Sequence, residues 1–217
     1  MKNRIYRYFL MLAIAILFPT VCFAEKPTFK RHELATYFGY ANMLAGTGGL
    51  TNTSNSYEKK LRSGISWDAQ YYYNPIREVG LGILYSGFTS KASHATGSDH
   101  LFTHYIAPQF AGNLLNKERW RIRLNMGVGY IRYFNDSKVY GKERKVTGGR
   151  IAGNLGLRGE YLFTSHWGVS VVAQYILSSI RKVDIDYHGE TIKVKFPSDN
   201  RLSLSRLNLS AGINYHF

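Results

Sequence analysis

The sequence predicts an all-β chain, an eight-stranded antiparallel up-and-down transmembrane β-barrel. Three observations carry that prediction. Of eight candidate segments, seven alternate apolar and polar residues with the period of two that puts neighbouring side chains on opposite faces of a strand. The connections between them alternate short and long, the rhythm of tight turns at one membrane face and loops at the other. Aromatic residues bracket the apolar faces. Trp120 and Tyr130 stand ten residues apart on one face; at about 3.3 Å per residue and a tilt of about 40° they are roughly 25 Å apart along the membrane normal, the height of a lipid-facing band.

The chain opens with the basic residues Lys2, Arg4 and Arg7, runs apolar from Tyr8 to Phe18, and places the small residues Cys22 and Ala24 before Glu25. That order reads as a secretory signal peptide over residues 1–24; residues 25–217 form one barrel domain. The apolar run is short for a spanning helix of about 20 residues. A lipidated Cys22 would need a small residue before it, and Val21 and Pro19 fit poorly. Cys22 is the single cysteine, so the mature chain has no disulfide although an exported compartment permits one. The full chain carries +14 and the mature chain of 193 residues +11. Export argues against nucleic acid as partner of that charge and points instead to an anionic lipid surface.

The first strand, 33–43, sets Leu34, Thr36, Phe38 and Tyr40 against Glu33, Ala35, Tyr37 and Gly39. The second, 61–73, sets Ile65, Trp67, Ala69, Tyr71 and Tyr73 against Ser66, Asp68, Gln70 and Tyr72, and ends at the turn-forming pair Asn74 and Pro75. The third, 77–88, opposes Val79, Leu81, Ile83 and Tyr85 to Glu78, Gly80, Gly82 and Ser86. The fourth, 100–112, has no clear phase, and Pro108 within it marks a bulge or strained stretch. In the fifth, Trp120, Ile122, Leu124, Met126, Val128 and Tyr130 oppose Arg121, Arg123, Asn125, Gly127 and Gly129. The sixth, 150–163, opposes Ile151, Leu155, Leu157 and Tyr161 to Asn154, Gly156, Arg158 and Glu160. The seventh, 167–178, opposes Trp167, Val169, Val171, Tyr175 and Leu177 to Gly168, Ser170 and Gln174. The eighth closes the chain: Leu207, Leu209, Ala211, Ile213, Tyr215 and Phe217 face one way, Arg206, Asn208, Ser210, Gly212, Asn214 and His216 the other. Short connections fall at 74–76, 113–118 and 164–166, long ones at 44–60, 89–99, 135–148 and 179–202. The even strand number leaves both termini at the short-turn side.

Eight strands enclose an interior just wide enough to be filled by side chains, which excludes a general diffusion pore. The inward set is charged: Glu33, Asp68, Glu78, Arg121, Arg123, Arg158, Glu160 and Arg206. Buried charges must be paired or hydrated, so these predict one ion-pair network plugging the lumen, with the inward glycines Gly64, Gly80, Gly82, Gly127, Gly129 and Gly156 making room for the arginines. A narrow ion path through the same groups is the alternative.

Within the last loop, Val183, Ile185 and Tyr187 alternate before His188 and Gly189, and Ile192, Val194 and Phe196 after them. A two-residue turn there pairs Tyr187 with Glu190, Ile185 with Ile192, Asp184 with Lys193 and Val183 with Val194. The predicted result is a ribbon continuing strands seven and eight, with a one-residue offset absorbed at 197–200. Asp184, Asp186 and His188 share one ribbon face, the residue types of an acid–histidine site, balanced by Lys193 and Lys195. No phosphate loop or HExxH motif occurs. His94, Ser98, His100 and His104 form no nucleophile–base spacing. The chain is therefore read as a non-enzyme, without catalytic residues, metal site or cofactor. Lys59, Lys60, Arg62, Lys142, Arg144 and Lys145 crowd the outer rim with Lys138, Arg181, Lys182 and Arg201. They are candidate lipopolysaccharide contacts through hydrogen bonds to phosphate, or simply the composition of soluble loops.

The carboxy-terminus carries a resemblance. A polar residue, a glycine two on, and aromatics three and five beyond that glycine mark the terminal strand of bacterial outer-membrane barrels; Ser210, Gly212, Tyr215 and Phe217 occupy those positions. The whole mature chain resembles the small OmpA/OmpX-like barrels of Gram-negative bacteria, in a single-domain form without a peptidoglycan-binding appendage. The resemblance implies integration in the outer membrane, termini in the periplasm, long loops outside, and recognition of the terminal signal by the barrel-assembly machinery. It implies a structural or surface-interaction role with lipopolysaccharide contacts. A narrow porin-like channel is the second reading and a rim-located lipid-modifying enzyme or protease the third. The His-x-Ser motif of barrel lipid A deacylases is absent.

Overall fold

The computed structural model describes residues 29–44, 55–94, 97–139, 142–187, 190–196 and 202–217; the signal-peptide reading lies outside them. Eight strands close a ring among the described residues: β1 (His32–Met43), β2 (Ser63–Tyr73), β3 (Val79–His94), β4 (Gly97–Asn116), β5 (Trp120–Val139), β6 (Lys142–Leu162), β7 (Trp167–Leu177) and, after the ribbon strands β8 (Ser179–Ile180), β9 (Lys182–Tyr187), β10 (Glu190–Lys195) and β11 (Leu202–Ser203), β12 (Arg206–His216). Each ring strand pairs antiparallel with its neighbours, and β12 closes the ring between β7 and β1. Along β1 and β12, buried inward residues alternate with outward Leu34, Phe38, Tyr40, Leu207, Leu209 and Ile213, all exposed for contact with lipid. Pairing Tyr37 with Gly212 puts Gly212 beneath the Tyr37 ring, whose Cδ1 stands 2.6 Å from where a β-carbon would be.

Two expected loops turn out to be strand. β3 and β4 extend to His94 and from Gly97, and β5 and β6 to Val139 and from Lys142. In these extensions the pattern inverts. Leu101, Tyr105, Ile131, Tyr133 and Val146 are buried inside, while Lys91, Arg132, Asp136 and Lys145 are exposed outside. Once lipid gives way to water, the outer face becomes polar and the lumen takes over as apolar core. An outward-apolar template therefore stops at the membrane edge and loses the strand beyond it.

The upper core is closed by a helix, α1 (Asn55–Arg62), where a plain loop was expected; Leu61, expected in β2, belongs to it. Its acidic Glu58 in the first turn and basic Lys59, Lys60 and Arg62 in the last suit the helix dipole. Tyr57 and Leu61 pack into the apolar cluster with Met43, Phe88, Leu101 and Tyr133.

The fourth strand's phase is now plain. Leu101, Thr103, Tyr105, Ala107, Gln109 and Ala111 face in, and Ile106, Pro108 and Phe110 face out. Pro108 makes no bulge. The β4–β5 register is the same above and below it, but the pairs at Ala107 and Pro108 are missing, while the β3–β4 ladder runs unbroken past it. Proline has no N–H, and here the lost donor lies on the β5 side. The bulge sits at Asn113/Leu115 instead.

The hairpin register is the expected one: Tyr187 faces Glu190, Ile185 faces Ile192, Asp184 faces Lys193 and Val183 faces Val194. Ile180 opposite Leu202 keeps the β7–β12 register, so β8 and β11 do continue those strands. The turn at 188–189 and the expected break at 197–200 lie outside the described residues. The ribbon does not stand alone, however. β9 pairs with β6, Ile185 opposite Val146 and Val183 opposite Gly148, so the β5–β6 extension supports it.

Candidate functional site

The lumen holds the charged side chains on two levels. In the short-turn half, Glu33 on β1 is fully buried and ion-paired to Arg158 and to Arg123, whose Nη1 stands 2.8 Å from Oε2. Arg123 also donates to Asn113 (2.7 Å) and Asn74 (2.9 Å), and its guanidinium lies 5.1 Å from the Tyr72 ring centre. Arg158 donates to the Tyr37 hydroxyl (2.9 Å), which donates on to Asn214 (3.1 Å). Glu160 accepts from Asn214 (2.9 Å) and from His216 Nε2 (2.6 Å). With Nε2 donating, His216 Nδ1 is left to accept from Arg121 Nη1 at 3.4 Å. Strand pairing accounts for the assembly: β5 and β6 set Arg123 opposite Arg158 and Arg121 opposite Glu160, and the closing strand sets Glu33 opposite His216.

Nearer the long-loop end, Arg206 donates to Thr103 and to Ser86 (2.9 Å), beneath the Phe88 ring at 5.3 Å. Asp68 of β2 stands opposite Ser86 of β3 and is buried beside the Ser86 hydroxyl and the Arg206 guanidinium. The single network expected from sequence is thus two clusters. Between them Tyr105, Gln109, Asn125 and Asn154 form an amide and hydroxyl relay, with Tyr105 and Gln109 both donating to Asn154 Oδ1 at 2.8 Å.

Glu78 is not part of the lumen. It is exposed in the β2–β3 connection, where its carbonyl accepts from Asn113 N at 2.8 Å. Extending the alternation of β3 by one residue past its start at Val79 put it inside wrongly. The inward glycines also make room for other groups than expected. A β-carbon at Gly80 or Gly82 would meet Asn74 and Tyr72, and one at Gly156 would meet Asn125. Gly80 and Gly82 seat the Asn74 amide and the Tyr72 ring that hold Arg123, and Gly156 seats the Asn125 amide of the relay. His216, Asn74, Tyr37, Asn113 and Asn214 were not foreseen as network members. His216 and Asn214 were legible as polar-wall residues of the last strand; Asn74 lies just past the end of β2 and Asn113 at the β4 bulge, where simple alternation gives no inward assignment.

Glu33, Glu160 and His216 bring ligand atoms within 4.8 Å of one another, the donor set of a metal site. Arg123 and Arg158 already neutralise the carboxylates, and a dication would have to enter against two guanidiniums. The set fits ion pairing better than metal.

At the rim, Lys59, Lys60, Lys142 and Lys145 are exposed. Arg62 is turned back to the Met43 carbonyl (2.8 Å), and Arg144 points inward to Ser137 (2.9 Å) and Asp99 (3.9 Å). Those two side chains serve the cap, a correction to their reading as rim contacts. Tyr57 of α1 donates to Asp99, which also accepts from Asn135 at 2.8 Å. Burial and this bond to a carboxylate push the Tyr57 phenol above its ordinary value. On the ribbon, Asp186 accepts from Thr191 at 2.5 Å and Asp184 faces Lys193; His188 lies outside the described residues.

At the short-turn end, Tyr215 packs against Trp167 at 4.7 Å and Phe217 at 5.7 Å, and Phe217 against His32 at 5.3 Å. This ring of aromatics on the closing strands is the lower girdle of a lipid-embedded wall. The model of the outer membrane protein beta-barrel domain matches residues 15–217.

The chain belongs to that outer membrane β-barrel family.

The assignment makes it an integral protein of the bacterial outer membrane. Neisserial surface protein A is similar in structure at TM-score 0.57 and 13% identity, over 86% of this chain and 97% of that one. The outer membrane protease OmpT of Escherichia coli is similar at TM-score 0.52 and 9% identity, over 91% and 100%. OprG of Pseudomonas aeruginosa is similar at TM-score 0.50 and 12% identity, over 89% and 100%. At such identities the likeness is one of fold. No curated protein sequence matches the chain.

Proposed function

We propose that the protein is a non-conducting barrel with a structural or surface-interaction role, working through its outer rim and through contacts with lipopolysaccharide. Its termini face the periplasm and its long-loop end faces outward, where exposed Lys59, Lys60, Lys142 and Lys145 meet lipid phosphates or a surface ligand. Ser210, Gly212, Tyr215 and Phe217 serve as the signal to the assembly machinery. The observation that supports a non-conducting barrel is the double closure of the lumen. The Glu33–Arg123–Arg158–Glu160 cluster fills the short-turn half, and the apolar cluster under α1 fills the other. An ion entering the upper core would lose its water among Phe88, Leu101 and Tyr133, at a cost that an unpaired ion does not recover.

Single-channel recording of the purified, heat-modifiable protein in planar bilayers, beside Arg123→Ala, tests this. A silent wild type is the expected result. Reproducible openings whose size changes in the variant would overturn it in favour of the channel reading. Mass spectrometry of lipid A from cells with and without the protein tests the enzyme reading, and identical spectra are expected.

A further inference from the structure

The outer wall carries a groove of about 590 Å³ between β4, β5, β6 and β7, walled by Pro108, Phe110, Met126, Val128, Leu155 and Leu177. Its size is that of a small-molecule site. Two local features open it. Gly153 leaves a gap in the outward row of β6 between Ile151 and Leu155, and nothing stands within 3.4 Å of where its β-carbon would be. Beside it, the β4–β5 ladder lapses at Pro108. Gln109 and Asn154 border it as well, but their amides turn into the lumen and hydrogen-bond each other there, so the groove offers an occupant a chiefly apolar surface.

Directly above, on the same two strands and the same outward face, lies a cationic and aromatic cluster. Arg132 stands opposite His104 across the β4–β5 pair. Its guanidinium is 5.1 Å from the Phe134 ring centre, it is exposed, and no carboxylate pairs with it among the described residues. The Tyr85 hydroxyl stands 2.7 Å from His104 Nδ1, and with that hydroxyl donating, Nε2 carries the ring proton. Pro108 and Val128 lie four residues below His104 and Arg132, roughly 13 Å along the strand and about 10 Å along the normal at a tilt of about 40°. A head that binds Arg132 therefore lets its chain reach the groove within one leaflet.

We propose that this face is a binding site for one lipid A molecule, its phosphate on Arg132 and His104 and one acyl chain in the groove at Gly153. The site rests on the outward orientation of the long-loop end proposed above. An unpaired cation set at the outer interface over an apolar slot matches a phosphorylated, acylated head in charge and in length.

Native mass spectrometry of the folded mature protein tests it, with hexa-acylated lipid A or dioleoyl phosphatidylglycerol added to the detergent. Wild type should retain one lipid A at least about tenfold more tightly than phosphatidylglycerol. Arg132→Gln should weaken lipid A by about tenfold, the scale of one hydrogen bond to a charged group. Gly153→Leu should do the same by filling the slot, while Lys117→Gln, exposed at the short-turn end, should not. Val128→Trp replaces Gly153→Leu if that variant loses its heat-modifiable gel shift. Equal retention in wild type, Arg132→Gln and the slot-filling variant would overturn the site, as would equal affinity for the two lipids. Protease clipping of the β9–β10 hairpin on intact cells reads the orientation separately: clipped hairpins with no lipid preference sink the site alone, and protected hairpins sink the orientation on which it rests.

Discussion

Replacing Glu33 by glutamine removes one charge at the point where the lower lumen cluster is held together. Glu33 is fully buried, and its two oxygens take Arg158 and Arg123 respectively. The amide keeps the shape, but its NH2 group presents donors to a guanidinium that has only donors. Arg121, Arg123 and Arg158 would then face Glu160 alone. Breaking a buried pair by removing one partner costs about 3–5 kcal/mol, because the other charge stays buried and uncompensated. With a urea slope of about 2 kcal/mol per molar, the unfolding midpoint should fall by roughly 2 M. The assay is urea unfolding of the barrel in lipid vesicles, followed by tryptophan fluorescence and by the heat-modifiable gel shift. Adding Arg158→Met to Glu33→Gln should recover part of the loss, since removing both partners leaves less charge stranded. An unchanged midpoint in Glu33→Gln, or a double variant that loses the full sum of the singles, would refute the account of the lumen as an ion-paired plug.

Three further outcomes follow from the geometry. Gly212→Leu should fail to fold in vesicles, because its side chain would be driven into the Tyr37 ring and the Thr36 backbone; gel-shift yield measures it. Tyr57→Phe should loosen α1 by losing a hydrogen bond to a carboxylate, worth about 1.5–3 kcal/mol, and so raise trypsin cleavage at Lys59 and Lys60 by about tenfold or more. That bond's contribution has a definite pH window: the folded phenol is raised above its ordinary value of about 10, so the contribution is complete below that pH and is lost as pH rises through the raised value. Hydrogen exchange of α1 in wild type, compared with Tyr57→Phe, should converge only in strong alkali.

Much of the barrel was legible because a membrane wall writes its two faces into alternate residues. The hairpin register, from Val183–Val194 to Tyr187–Glu190, followed from charge and apolar matching across a two-residue turn. The extensions of β3 to β6 were missed because their alternation changes sign where lipid ends. Glu78 was misplaced because alternation does not announce where a strand begins, and Pro108 because a missing donor interrupts one ladder without shifting the register.

The sequence by itself determined the fold class, the number of ring strands, the family and which wall of each strand is polar. All of these rest on local periodicity and on the terminal signal. Only the tertiary structure decided which inward charges meet. Glu33 is brought to Arg123 and Arg158 across separations of 90 and more residues, while Arg206 goes to the hydroxyls of Thr103 and Ser86. The same closure put Gly153, Pro108 and Arg132 on one outer face. Strand tilt and register set which side chains share a level, and those depend on how every pair in the ring closes rather than on any one segment.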